Sequence, residues 1–272
     1  MKRLMALCLG LALLPFVALA VLLLLKGLPA LSWAMLTQPP RSGFYLGGGG
    51  GIAHAILGTL LLGGGGIVLA ALLGFPASIA LQRRMGPPLL IRVSRLVLDL
   101  LWGVPSIVTG AFVFLLMVRL GAGASLLAGM LTLAFVMLPI LVRGMDQALG
   151  SVPLELEECA TALGATRAET LRRVVLRQAL PGLLTALLLA LGRGLGDAAS
   201  VLFTAGYTDR MPASLLDPVA SLPLAVFYLL GTPDPEVQSR AYAAALVLFT
   251  LVLAVNLLGR LLGRRWSRHI LD

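Results

Sequence analysis

The chain has 272 residues, of which 59% are hydrophobic and 12% charged, and it carries a formal net charge of +9. So little polar surface cannot cover a water-soluble globule, so the composition excludes one and places the chain in a bilayer. The basic excess reads as membrane topology and contact with anionic lipid, and not as a nucleic-acid footprint.

A membrane span needs about 20 mostly apolar residues. Six runs meet that need, at residues 4–25, 54–81, 96–118, 125–142, 180–205 and 241–262. The expected fold class is therefore an all-α membrane protein of six transmembrane helices, forming a single domain over residues 1–272. An even number of spans puts both termini on one side. Placing them in the cytoplasm leaves Lys2, Arg3, Arg83, Arg84, Arg92, Arg95, Arg143, the arginines of residues 151–181, Arg260, Arg264, Arg265 and Arg268 inside. That is the positive-inside bias.

The first run follows Lys2-Arg3 and contains Ala18-Leu19-Ala20, features shared with a cleaved signal peptide. Its apolar stretch continues to Leu25, longer than a signal core, and it reads as a retained helix. An outer segment follows, with five glycines at 47–51, and a second run, Gly63–Gly66, interrupts the second span. Neither is followed by the Lys-Ser/Thr pair of a nucleotide loop, so the chain carries no ATPase motif. Within a membrane helix the second run serves either close approach of a neighbour or local unwinding.

The third span carries Pro105 and Ser106, where the missing proline amide predicts a kink with a hydroxyl at hand. The fourth has Leu138-Pro139 followed by Arg143. After it comes a polar, charge-dense island from Ser151 to Pro181. Ser151 and Pro153 open a short amphipathic helix on Leu154, Leu156, Ala160 and Leu163, which Gly164 closes. Thr166-x-x-Glu169 has capping-box spacing and opens a second short helix. Acids precede the glycine corner and Arg167, Arg172, Arg173 and Arg177 follow it, so the tip offers both signs of charge to a partner.

In the fifth span Arg193 and Asp197 stand four residues apart, hence on one helix face. Arg193 lies twelve residues past Pro181, about 18 Å along a helix, deep in the bilayer. Buried charges there are costly and mark substrate or ion paths by default. Flanking Gly192 and Gly196 also permit a tight helix contact over a neutralised pair. The base-before-acid order is the weaker one for a helix, which favours the pathway reading. A planar guanidinium suits an oxyanion, and the aspartate would keep capture reversible. Between the last two spans, Leu222 to Phe227 suggests a short interfacial helix. Cys8 and Cys159 have no metal-ligand company and read as inert small residues.

The island resembles the EAA loop of ABC-importer permeases: Glu158-Cys159-Ala160, then Gly164, then Val174 and Leu176. Cys159 stands where the family has alanine, and Arg177 where it has proline. Further segments extend the likeness over most of the chain. They are Gly50–Ile52 with Gly58-Thr59-Leu60, Pro105–Val108 with Gly110, Leu138-Pro139 with Arg143, Arg193–Asp197 with Leu202–Ala205, and Asn256–Arg260. Together they resemble the PstA-type permeases of phosphate ABC importers. The family usually has Gly-Glu-Thr-Ala-Pro where this chain has Gly196-Asp197-Ala198-Ala199-Ser200.

The resemblance implies a type I ABC-importer permease fold in the cytoplasmic membrane and a transport subunit that is not itself an enzyme. It implies no cofactor on this chain, ATP being used by a partner. The partners would be a second related permease, an ATPase dimer gripping the island and an extracytoplasmic phosphate-binding protein. Arg193, Asp197, Ser106 and Pro105 would line the substrate path, and Glu158, Cys159, Ala160, Gly164 and Arg167 would couple to the ATPase. No catalytic or metal-ligating residue is expected. The competing readings are another oxyanion, the companion permease, or an ion-coupled secondary transporter using Asp99 and Asp197.

Overall fold

The computed structural model describes residues 1–41, 49–82 and 87–266. Gly47, Gly48, Arg83, Arg84, Arg268 and the side chains of Lys2, Arg3, Arg264 and Arg265 lie outside the described part. The helices are, in chain order, α1 (Lys2–Gly27), α2 (Trp33–Thr37), α3 (Ala53–Gln82), α4 (Pro88–Gly103), α5 (Ser106–Arg119), α6 (Leu126–Gly150), α7 (Leu154–Ala162), α8 (Arg167–Glu169), α9 (Leu176–Leu195), α10 (Leu222–Leu230) and α11 (Pro235–Trp266). Among the described residues there is no strand, only an isolated bridge between Pro40 and Gly50. Five helical stretches are long and apolar enough to cross a membrane, and α4 with α5 makes a sixth if that bent pair is one span.

The chain divides into two compact units. The first comprises Met1–Thr59, Tyr207–Ala213 and Val219–Leu251. Its core gathers Met35, Ile52, Ala55, Leu222, Leu229, Val237 and Ala241. Gly58 makes this packing possible, because a Cβ there would sit 1.9 Å from the Ala220 carbonyl oxygen. One residue on, the Thr59 hydroxyl donates to the Ala55 carbonyl and accepts the Leu222 amide, each at 2.8 Å, so the start of α10 is tied to α3. The short helix expected along the interface at 222–227 is α10, but it is packed inward: Leu222 and Ala225 belong to this core and Leu224 is also buried.

The second unit comprises Leu60–Gly206, Ser214–Pro218 and Val252–Asp272. α6 is its centre, with Leu133, Met137, Leu141, Val142 and Met145 buried. Here the glycine run stays helical and serves close approach, not unwinding. A Cβ on Gly65 would meet the Met130 side chain at 2.5 Å, and one on Gly66 would meet Met137 at 2.8 Å. The first amides of α6, which have no intrahelical acceptor, are satisfied from elsewhere in the unit. Ser125 donates to the Thr204 carbonyl, Leu126 to Asp217 and Leu127 to Leu215, each at 2.8 Å.

Two spans differ from the sequence reading. The third is broken, α4 and α5 meeting at 106°. Pro105 lacks an amide and drives Val104 into extended backbone (φ −71, ψ 127), so the helix ends at Gly103 and restarts at Ser106. The fifth span does not run helically to residue 205. α9 stops at Leu195, where three glycines lower helix propensity and Asp197 offers its carboxylate to the Ser200 amide at 2.9 Å, an alternative to the helix ladder. Non-helical backbone at membrane depth is tolerated where protein buries it. Ser200, Thr204 and Ala205 are all buried.

Candidate functional site

The broken third span leaves space. A cavity of about 170 Å³ lies between the α4–α5 elbow, α6 and α9, all within the second unit. The elbow contributes Leu101, Trp102, Val104, Ser106 and Thr109, α6 contributes Phe135, Val136, Pro139 and Ile140, and α9 contributes Arg193. A void of about 150 Å³ holds a benzene-sized guest, so this one is large enough for a small oxyanion.

Arg193 is the cation of this cavity. Its Nη1 is 2.8 Å from Asp197 Oδ2, with the arginine side chain half exposed and the aspartate 2% exposed. The acid is thus locked in protein, one oxygen on Arg193 and the other on the Ser200 amide, while the guanidinium keeps a free face on the cavity. Ser106 and Thr109 bring hydroxyls from the first turn of α5, whose leading amides carry the positive end of the helix dipole. Opposite them, Pro139 removes an amide from α6, so the carbonyl of Phe135 loses its helical partner.

Of the expected pathway residues, Arg193 and Ser106 line the cavity. Asp197 sits behind Arg193, and Pro105 makes the elbow without being part of the lining. Trp102, Phe135, Val136 and Ile140 had no sequence signal beyond apolarity. Gly110 did, by its place in the quoted Pro105–Val108 segment with Gly110: a Cβ there would lie 2.1 Å from the Ser200 carbonyl oxygen, so α5 rests on the buried turn after α9.

The island forms a corner. α7 carries Glu155 and Glu157 in its first turn, where they complement the dipole. Gly164 closes it at φ +85, its amide donating to Thr161 and the next amide, of Ala165, to Ala160. Thr166 and Glu169 then make the full reciprocal capping box, with the Glu169 amide donating to the Thr166 hydroxyl at 3.3 Å and the Thr166 amide to the Glu169 carboxylate at 3.0 Å. The second arm is not a separate short helix. From α8 it continues as π-helix over Thr170–Val175 into α9, a helical rod from Arg167 to Leu195.

Glu158, Cys159, Gly164 and Arg167 are exposed and Ala160 is half buried. Leu154 and Leu163 of the expected apolar stripe are 70% and 89% exposed, so the chain leaves its own tip uncovered.

Such an arrangement, helices around an arginine-lined cavity with an exposed charged and apolar corner, fits the class of membrane permeases. Comparison with known proteins agrees. Residues 66–268 match the family described as binding-protein-dependent transport system inner membrane component, and the chain belongs to that family. It is an inner-membrane, multi-pass component of an ABC transporter, with the type I importer permease fold.

Among relatives, it is 34% identical to the phosphate transport system permease protein PstA of Yersinia pestis over 87% of this chain and 80% of that one. It is 36% identical to PstA of Xylella fastidiosa over 88% and 83%, and 32% identical to PstA 2 of Mycobacterium bovis over 96% and 87%. Among solved structures, the inward-facing MetNI methionine ABC transporter superposes with a TM-score of 0.65 at 21% identity, covering 79% of this chain and 95% of that one. An amino acid ABC transporter solved with histidines gives 0.60 at 19% identity, covering 82% and 94%.

Proposed function

We propose that this chain is the permease subunit through which an ATP-driven importer moves inorganic phosphate across the cytoplasmic membrane. The observation that carries the cargo is the Arg193 guanidinium on the wall of a cavity of oxyanion size, held from behind by a buried Asp197. Relatives named for phosphate transport, matched along most of the chain, support the same cargo. An arginine fork meets two phosphate oxygens at once, and the aspartate competes for the fork, so that the anion is captured and still released.

Energy comes from outside the chain. ATP is hydrolysed by an ATPase dimer that seats on the corner of Glu158, Cys159, Ala160, Gly164 and Arg167, and this chain binds no cofactor. The exposed Leu163 and the rigid capped corner suit insertion into a groove on that partner. From the corner the rod of α8 and α9 runs about 35–40 Å to Arg193, so a push at one end is felt at the other. A second related permease completes the pathway, and an extracytoplasmic phosphate-binding protein delivers the anion.

The test is uptake of labelled phosphate by proteoliposomes holding the full complex. Uptake should need ATP and the binding protein, and excess sulfate or molybdate should leave it within about twofold. Competition by sulfate as strong as by unlabelled phosphate would overturn the phosphate reading while keeping the importer.

A further inference from the structure

Away from the cavity, α4 and α6 face each other with four charged side chains. Arg95 Nη1 lies 3.2 Å from Asp146 Oδ2, and Arg143 pairs with Asp99. The order is reciprocal: α4 supplies base then acid, α6 supplies base then acid, and the helices run antiparallel so that each base meets an acid. On the same helices Leu98 and Val142 pack together with Leu81 in a buried apolar cluster. The Arg95 guanidinium also reaches the Leu81 carbonyl, in the last turn of α3, at 3.4 Å.

This ladder has one register. Sliding α4 by a turn one way would set Arg95 against Arg143, and by a turn the other way Asp99 against Asp146. Either slip replaces attraction with repulsion among groups that are only part-exposed. The location gives the ladder a purpose. Asp146 lies one turn before the end of α6, from which the chain enters α7. At its other end α4 carries Leu101 and Trp102 into the cavity. Past the elbow, α5 is held by Gly110 on the Ser200 carbonyl and, at the opposite end of α6, by Val113 and Met117 against Ala128, with Pro139 between that end and the α4 pairs.

We infer that Arg95, Asp99, Arg143 and Asp146 are positioning residues that lock α4 to the inner half of α6, so that movement of the coupling corner is delivered to the cavity wall at Trp102 and is taken up at the Val104–Pro105 elbow. The inference rests on the proposed coupling of α7 to an ATPase. α4 and the inner half of α6 move as one body, and the angle between α4 and α5 changes.

Two measurements on the assembled transporter test it. In the first, non-cysteine spin labels at Leu89 and Gln147 report the α4–α6 distance, and labels at Leu89 and Leu115 report the angle across the elbow, with and without ATP. The first distance should stay within about half a helical turn, ~3 Å, while the second changes by more. A change of a full turn, ~5 Å, between Leu89 and Gln147 would overturn the lock, whatever the cargo proves to be.

The second measurement separates register from attraction. The exchange Arg95→Asp with Asp146→Arg keeps both pairs but makes α4 all acid and α6 all base, so slipped registers become attractive. The full exchange, adding Asp99→Arg and Arg143→Asp, restores a single register. Uptake per ATP hydrolysed should fall about tenfold in the two-residue exchange and recover to at least half in the four-residue one. Equal uptake in both would show that attraction alone suffices and would sink the register claim. Absence of phosphate uptake in the unaltered complex would count against the cargo reading, and the distance measurement would still decide the lock.

Discussion

Arg193 and Asp197 form an ion pair of a half-exposed base and a buried acid. Among the described residues Arg193 is the cation paired with this acid, so removing Arg193 alone leaves a carboxylate buried without its partner, a change that typically costs several kcal/mol. Loss of function in a single Arg193 variant therefore conflates chemistry with folding. A second residue-scale prediction avoids that problem. Gly110 meets the Ser200 carbonyl so closely that an added methyl has nowhere to go, since the neighbour is backbone. Gly110→Ala should cost about 1–3 kcal/mol, seen as a lowered Tm of the detergent-solubilised protein. Gly123→Ala, in open space, is the matched control and should leave Tm unchanged.

At the scale of elements, the corner at Gly164 is defined by local interactions, and it was legible in the sequence. Thr166 and Glu169 are three residues apart and Gly164 needs only a positive φ, so the interactions that shape the corner are local and visible in sequence. Gly164→Ala should strain the αL turn by about 1–2 kcal/mol, and Thr166→Ala should remove about 1 kcal/mol of capping. Both should weaken ATPase attachment several-fold in a pull-down with purified ATPase while the permease stays folded. Undiminished attachment in both variants would show that the corner's shape does not matter to the partner.

The elbow was less legible. A proline in an apolar run announces a kink, yet whether the helix bends or breaks depends on what the freed residues pack against. Here Gly103 lowers helix propensity just before the proline, and α5 finds a seat on Ser200, ninety positions from Gly110. The cavity exists only because of that break, which is why Trp102 and Phe135 gave no sign of their place.

For the whole molecule, the pairing of charges discriminates between classes of transporter. Asp99 and Asp197, the two acids that an ion-coupled mechanism would need, are each paired with an arginine, Arg143 and Arg193. Their partners lie 44 and four residues away, so only the second pairing could be foreseen. A carboxylate held by a guanidinium is a poor relay for protons or sodium, and the energy must then enter elsewhere. In the proposed function it enters at the exposed corner. The two arms of that corner lead by α6 and by α9 to two walls of the same cavity, the route along which the proposed coupling would act.

The most direct test of that account is the double variant Arg193→Gln with Asp197→Asn, which removes both charges together and leaves two amides able to hydrogen-bond in the same place. Reconstituted with its partners, it should assemble and hydrolyse ATP at a rate near that of the unaltered complex. Its uptake of labelled phosphate should fall to background. Phosphate uptake at the unaltered rate in this variant would contradict the account, because the cargo would then pass without the guanidinium that defines the site.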